Sequence, residues 1–284
     1  MRDDAPLLES LTNFVESVVR DSPRNRLTLI DGSHIFDAPL IGVADGDDPL
    51  FEQYRHIIGP HHHTPRDILA RAGIENATDA TSTVRVFCWV LPISEPTKRS
   101  NSAMTRKPSQ RWAHTRHYGE LFNNELRAEV ERYVKHRGGN AVAPVTSTDF
   151  RVVQDIPDEP SSTWSERHAL YAAGLGTFGL CDGFLTPVGK AMRCGSVVVD
   201  LPLPVTERVH TSHTAACTYL SRGSCGDCIS RCPAGAIGPS GHDKKACENY
   251  LLEILSAVAD VYDVSIAGCG LCQTAVSCES GLPR

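Results

Sequence analysis

The sequence predicts an α+β chain in two parts, a mixed α/β domain over residues 1–205 and a small cysteine-rich domain over residues 206–284. Three observations predict it. Residues Thr83 to Leu91 (TVRVFCWVL) are a nearly unbroken run of β-branched and aromatic side chains, the mark of a strand buried on both faces. Stretches with helical apolar spacing lie on either side of that run. Eight of the eleven cysteines then fall between Cys217 and Cys278, beyond a linker marked by Pro202 and Pro204.

The elements follow in chain order. Leu7, Leu8, Leu11, Phe14, Val15, Val18 and Val19 recur at helical spacing over residues 5–20, and Ser22-Pro23 ends that helix. Leu27 to Ile30 reads as a short strand in a loop-rich stretch. Phe51 to Ile58 and Asp67 to Ala72 read as short helices, separated by His61-His62-His63; three adjacent histidines point in different directions and make no metal site by themselves. After the buried strand, whose Cys88 reads as a small core residue, the polar stretch Ser94 to Ser109 reads as a surface loop. Trp112 to Arg137 is a long helix with Leu121, Leu126, Val130 and Val134 on one face, ended by Gly138-Gly139. Ala141 to Val145 and Phe150 to Val153 read as short strands, and Asp155 to Ser162 as an acidic turn-rich loop. A helix opens at Trp164 and gives way to Gly174-Leu175-Gly176-Thr177-Phe178-Gly179, which lacks dinucleotide-binding spacing. Gly195 to Leu201 is a further strand.

Composition narrows the function classes. A hydrophobic fraction of 41% and a charged fraction of 22% are those of a soluble globular protein. A net charge of −6 argues against a general nucleic-acid grip. No apolar run is long enough to span a bilayer. The acidic N-terminus shows no export segment, so the expectation is a reduced, cytoplasmic setting.

The thiols carry the chemistry. The core reads Cys225-Gly-Asp-Cys228-Ile-Ser-Arg-Cys232-Pro233, with Cys217 upstream and Cys247, Cys269-Gly-Leu-Cys272 and Cys278 downstream. A [4Fe–4S] cluster takes four thiolates, so eight make the ligand set of two clusters, as in bacterial ferredoxins. There the cysteine before Pro leaves its own run and ligates the other cluster, and Cys232 fits that crossing role. Cluster one then takes Cys217, Cys225, Cys228 and Cys278, and cluster two takes Cys232, Cys247, Cys269 and Cys272. The first position of the usual run is Arg222, which displaces the first ligand onto Cys217. Two other readings compete. A zinc site built from the two CxxC pairs leaves four clustered cysteines and the Cys-Pro step unexplained. A disulfide framework needs an oxidising compartment.

The block Ser165-Glu166-Arg167, Ala173-Gly174-Leu175-Gly176, Gly195-Ser196-Val197 and Asp200-Leu201-Pro202-Leu203, followed by the cysteine pattern, resembles the epoxyqueuosine reductases, relatives of the reductive dehalogenases. The resemblance covers residues 160–280 well and 50–155 more thinly. It implies a nitroreductase-like α/β domain that binds cobalamin, next to a ferredoxin-like domain with two [4Fe–4S] clusters. It implies reduction of a small molecule with electrons from an external flavodoxin or ferredoxin, and Glu166, Arg167, Gly174, Leu175, Gly176, Gly195 and Ser196 around the cofactor. The family's proton-donating Asp lies six residues before the Glu, where this chain has Pro160, so Asp158 and Glu159 beside it are the candidate donors; the plainer reading is a solvated acidic loop. The family's Gly-Lys-Asn is Gly179-Leu180-Cys181 here, which makes Cys181 a candidate thiol at the active site or a plain buried residue. Tyr118 is a second candidate donor, since a phenol both donates and accepts, or a tyrosine at the core edge. A different class stays open: an iron–sulfur electron carrier with no catalytic cobalamin of its own.

Overall fold

The computed structural model describes residues 5–74, 79, 81–154 and 160–283. Its first half contains α1 (Ala5–Asp21), β1 (Leu40–Asp45), α2 (Leu50–Ile57), α3 (Pro65–Arg71), β2 (Arg85–Pro92), α4 (Glu95–Ser102) and α5 (Gln110–His136). Next come β3 (Ala141–Val142), β4 (Val152–Val153), β5 (Ser161–Ser162), α6 (Glu166–Ala172), β6 (Thr177–Phe178), β7 (Phe184–Leu185) and β8 (Met192–Val199). The cysteine-rich end holds α7 (Thr218–Arg222), α8 (Asp227–Ser230), β9 (Ile237–Gly238), β10 (Gly241–His242) and α9 (Lys244–Tyr262).

A four-stranded antiparallel sheet in the order β1-β2-β8-β3 forms the frame. Alternate side chains of a strand point to opposite faces, and β2 is apolar on both because both faces are covered. Phe87, Trp89 and Leu91 pack with α1 and α5 on one side, through Leu11, Val15, Phe122 and Leu126. Val86, Cys88 and Val90 pack with α2, α3 and α6 on the other, through Phe51, Ile68 and Leu170. Cys88 is thus the core residue its setting suggests. The Trp89 indole N–H donates to Asn123 Oδ1 at 2.9 Å, and Asn123 Nδ2 donates to the Cys194 carbonyl at 2.8 Å, which ties α5 to β8.

Two expectations fail. Leu27 to Ile30 form turns, with Leu27 buried, and no strand. The polar stretch after β2 contains α4, started by Ser94 and Pro96, and its polar groups are internal. Lys98 is buried and donates to Ser280 Oγ at 2.8 Å; Asn101 donates to Thr274 Oγ1 at 3.1 Å and accepts from the Ser109 amide at 2.9 Å. The partners of these groups lie mostly at the far end of the chain, where local polarity gives no hint of them.

The cysteine-rich end is held at residues 189–191. The amides of Lys190 and Ala191 donate to the carbonyls of Cys278 at 2.9 Å and Glu279 at 3.2 Å. A Cβ at Gly189, whose φ is +92°, would lie 2.1 Å from the Glu279 oxygen, so only glycine allows this contact. α9 lies on α5 through Ala113, Ile254, Val258 and Val264, and His114 Nε2 donates to the Tyr262 carbonyl at 2.6 Å. Among the described residues no helix is long and apolar enough to cross a membrane.

Gly176, beside the β6–β7 hairpin, is pressed against the chain itself: an added Cβ would lie 2.0 Å from the Leu185 carbonyl oxygen. Gly176→Ala should therefore cost about 1–3 kcal/mol in denaturant unfolding. Gly238→Ala, with nothing within 4 Å of the new carbon, should stay within about 0.5 kcal/mol of the parent. Equal effects would show that the glycine run is not packed as described.

Candidate functional site

Four thiols share one cavity. Cys232 follows α8, Cys247 lies in the first turns of α9, and Cys269 and Cys272 flank a short turn; all four line a space of about 480 Å³. Gly270, between the last two, has φ +63°, and its hydrogen faces the Trp112 indole, where a Cβ would sit 2.0 Å from the ring. Trp112 thereby closes one wall. The other four cysteines predicted as ligands gather nearby. Cys217, Cys228 and Cys278 are buried in one apolar cluster with Leu180, Leu185 and Ile237. Cys225 lies at their edge, 3.5 Å from Ser277 Oγ, in a backbone with φ +88°. Burial opposes ionisation of Cys225, but the Asp227 and Gly226 amides and the Ser277 hydroxyl outweigh it and lower its pKa. Cys232 and Cys272 line the cavity and also pack against this cluster, so the thiols of the two regions adjoin. Among the described residues no three His, Cys, Asp or Glu side chains close around a single ion.

Cys181 stands where these groups meet. It lines the cavity, its sulfur accepts from Lys190 Nζ at 3.4 Å, and it packs in the apolar cluster that holds Cys228 and that Cys272 borders. The expected active-site thiol is therefore a contact between the two thiol groups.

The cavity also has a cationic lining. Arg116 and Arg193 both reach Glu120, which also pairs with Arg127 at 3.3 Å. Burial works to raise the Glu120 carboxyl, but Arg193, Arg127 and Arg116 outweigh it and hold it at about 2. Arg127 is buried and pairs in turn with Glu166 at 3.0 Å. Burial pushes Glu166 up, against the pull of Arg127 and of the Ser196 hydroxyl that donates to it. Arg116, Arg193 and Arg167 line the cavity, and Arg193 Nε is buried with no acceptor. Burial, then neighbouring Arg193, lowers Arg116 to about 10. His242 also lines the cavity; its contacts with Asp182 and then Cys247 raise it to about 10, so it is a cation at neutral pH.

Of the residues expected around a cofactor, Arg167 alone lines this cavity. Glu166 and Ser196 meet each other inside the protein, where Ser196 also accepts from the Trp164 indole at 3.0 Å. Gly174 packs on the Glu207 carbonyl, Leu175 is buried against Gly42, Gly176 on Leu185, and Gly195 under the Trp89 ring. These glycines give room to the protein's own chain. Tyr118 lies on a shallow depression with Asp263, to whose carbonyl its hydroxyl reaches at 3.5 Å, and is not on the cavity wall. Helical spacing explains this: Trp112 and Arg116 share the cavity face of α5, and Tyr118 lies about 200° round the helix from Arg116. Asp158 and Glu159 lie outside the described residues, although Pro160 lines the cavity. Sequence reasoning missed Lys190, Arg193, Arg116 and His242. The legible signal was a pair of cations, Lys190 and Arg193, at the mouth of an apolar strand.

The Glu120 network gives a pH dependence. A carboxyl held at about 2 against an ordinary 4.5 contributes roughly 3 kcal/mol that is complete above 4.5 and lost as pH falls toward 2. Glu120→Gln should flatten the stability curve across that window and lower stability at neutral pH; an unchanged slope would remove this carboxylate as its cause.

Comparisons with known proteins place the arrangement. No family model matches the chain. It is 27% identical over 251 residues to an epoxyqueuosine reductase of Escherichia coli, covering 82% of this chain and 59% of that protein. It is 23% identical over 199 residues to one of Bacillus anthracis, covering 68% and 48%. The chain thus spans about half to three fifths of the curated relatives it matches. Among solved structures, epoxyqueuosine reductase from Bacillus subtilis superposes with a TM-score of 0.53 at 15% identity, over 99% of this chain and 68% of that one. Another, an epoxyqueuosine reductase with a modified tRNA stem loop, gives 0.54 at 16%, over the same shares. In sequence and in fold, the chain is similar to the epoxyqueuosine reductases.

Proposed function

We propose that the chain is an iron–sulfur oxidoreductase that reduces a small anionic molecule, with residues 1–205 as the substrate domain and residues 206–284 as a ferredoxin-like domain for two [4Fe–4S] clusters. The observation that carries this reading is the shared cavity, lined by thiols and by the arginines Arg116, Arg167 and Arg193 together. The donor sets suit the clusters. Each is all-thiol, each is assembled from three or four separate turns, and the crossing of Cys232 to the second set follows the ferredoxin pattern. When bound, the clusters supply single electrons.

The chain's own groups do the rest. Arg193, with an unmatched Nε, and Arg116, which shares its carboxylate, orient an anionic acceptor. Trp112, Ile93 and Met192 keep water from the apolar part of the wall. His242 holds a proton at the rim. Cys225, the exposed member of its set, marks the side where an external low-potential donor, flavodoxin or ferredoxin, would approach.

Cobalamin does not fit the described residues. The cavity of about 480 Å³ is in the range for a drug-sized ligand and already includes the space among the four thiols. The glycines expected to cradle a corrin are filled by the protein's own backbone and side chains. The same filled glycine run favours a second reading, in which the clusters pass electrons to a partner protein. A nucleic-acid substrate is a third, favoured by the tRNA stem loop bound to one solved neighbour.

Anaerobic isolation tests the proposal. Iron and acid-labile sulfide should be present for two clusters, and Cys232→Ser or Cys269→Ser should each remove about half of the iron. Arg193→Gln should keep the iron and weaken binding of small carboxylates or phosphates. Zinc in place of iron would overturn the cluster assignment. A corrin spectrum that shifts on adding cobalamin would restore a corrinoid enzyme, and tight tRNA binding would support the nucleic-acid reading.

A further inference from the structure

Lys190 is a buried cation without a carboxylate. It is 4% exposed, no acidic group lies within ion-pair distance among the described residues, and its ammonium donates to the Cys181 sulfur at 3.4 Å. The nearest carboxylate that feels it, Asp227, is committed to the Ser277 amide at 2.8 Å. Its other charged surroundings are thiols: Cys278, Cys272 and Cys228. The side chain is placed there by construction. Thr186 Oγ1 donates to the Gly189 carbonyl at 2.7 Å and accepts from the Val188 amide at 3.2 Å, closing a turn that docks against residues 278–279 and turns Lys190 inward.

Burying an ammonium is costly unless an anion meets it. Here the groups able to do so are Cys181 and the thiols of the two sets beside it. A cluster held by four thiolates is a net anion, and each electron it accepts makes it more so. A fixed positive charge beside it stabilises the reduced form, and net charge and hydrogen bonds at the sulfurs are what set such potentials.

We propose that Lys190, acting through Cys181, is the shared counter-charge of both clusters and raises the reduction potential of each. Lys190 is a positioning residue for charge, and Cys181 carries its contact to one thiol of each set, Cys228 and Cys272. Its place in the apolar cluster that holds Cys217, Cys228 and Cys278, with Cys272 packed against it, makes Cys181 a link between the sets. The inference rests on the cluster reading given above.

Redox titration followed by electron paramagnetic resonance, with iron analysis on the same anaerobic samples, tests it. In Lys190→Met the iron content should equal the parent's while both midpoints move to more negative potential. Lys190→Arg should restore the parental midpoints. Lys190→Gln serves as a second neutral variant should the methionine disturb folding, with the same negative shift expected. Iron-replete Lys190→Met or Lys190→Gln with parental midpoints would overturn this inference and leave the clusters standing. A parent protein without iron would overturn the cluster reading, and this inference with it.

Discussion

The site depends on one docking contact, the pairing of residues 189–191 with the carbonyls of Cys278 and Glu279. It joins the mouth of β8 to the last turn before the chain's end. Without it Cys278 has no fixed place beside Cys217 and Cys228, and Lys190 has no thiols to face. The contact is reinforced from a second direction by α4, whose Lys98 and Asn101 hold Ser280 and Thr274. Gly189 is the residue that lets the two backbones approach so closely. A tail of short helices and turns, with little core of its own, is thereby fixed against a sheet buried on both faces.

The second constraint is the buried charge beside the cavity. Arg127, Glu166, Glu120, Arg193 and Arg116 form a continuous chain of ion pairs from the core to the cavity wall. Buried pairs are poor evidence of net stability, because desolvation offsets the attraction. Their consequence here is position. Two carboxylates hold three guanidiniums in place, and the cation left over faces the cavity. An anionic ligand would complete the balance there, as clusters would among the thiols.

The legible part of the sequence was the part governed by local rules. The apolar run of β2 and the period of α5 each announced a buried element, and the eight clustered cysteines come together around one cavity and the apolar cluster beside it. What escaped was non-local. α4 looked like a surface loop because its polar groups find their partners at the chain's end. The glycines after α6 looked like a cofactor cradle, but glycine makes room for any close neighbour, and here the neighbours are Leu185 and the 207–208 backbone. Tyr118 has suitable chemistry on the wrong face of its helix. Lys190 was legible as a cation at the mouth of an apolar strand, but a lysine in a Gly-Lys-Ala turn gives no sign of being buried among sulfurs.

The central claim is that two separate metal clusters occupy these thiols. Anomalous scattering at the iron edge from crystals grown without air measures it most directly. The account predicts two distinct iron peaks, one enclosed by Cys217, Cys225, Cys228 and Cys278, the other by Cys232, Cys247, Cys269 and Cys272, with the Lys190 ammonium between them. A single peak shared by Cys225, Cys228, Cys269 and Cys272, or a signal at the zinc edge alone, would contradict it.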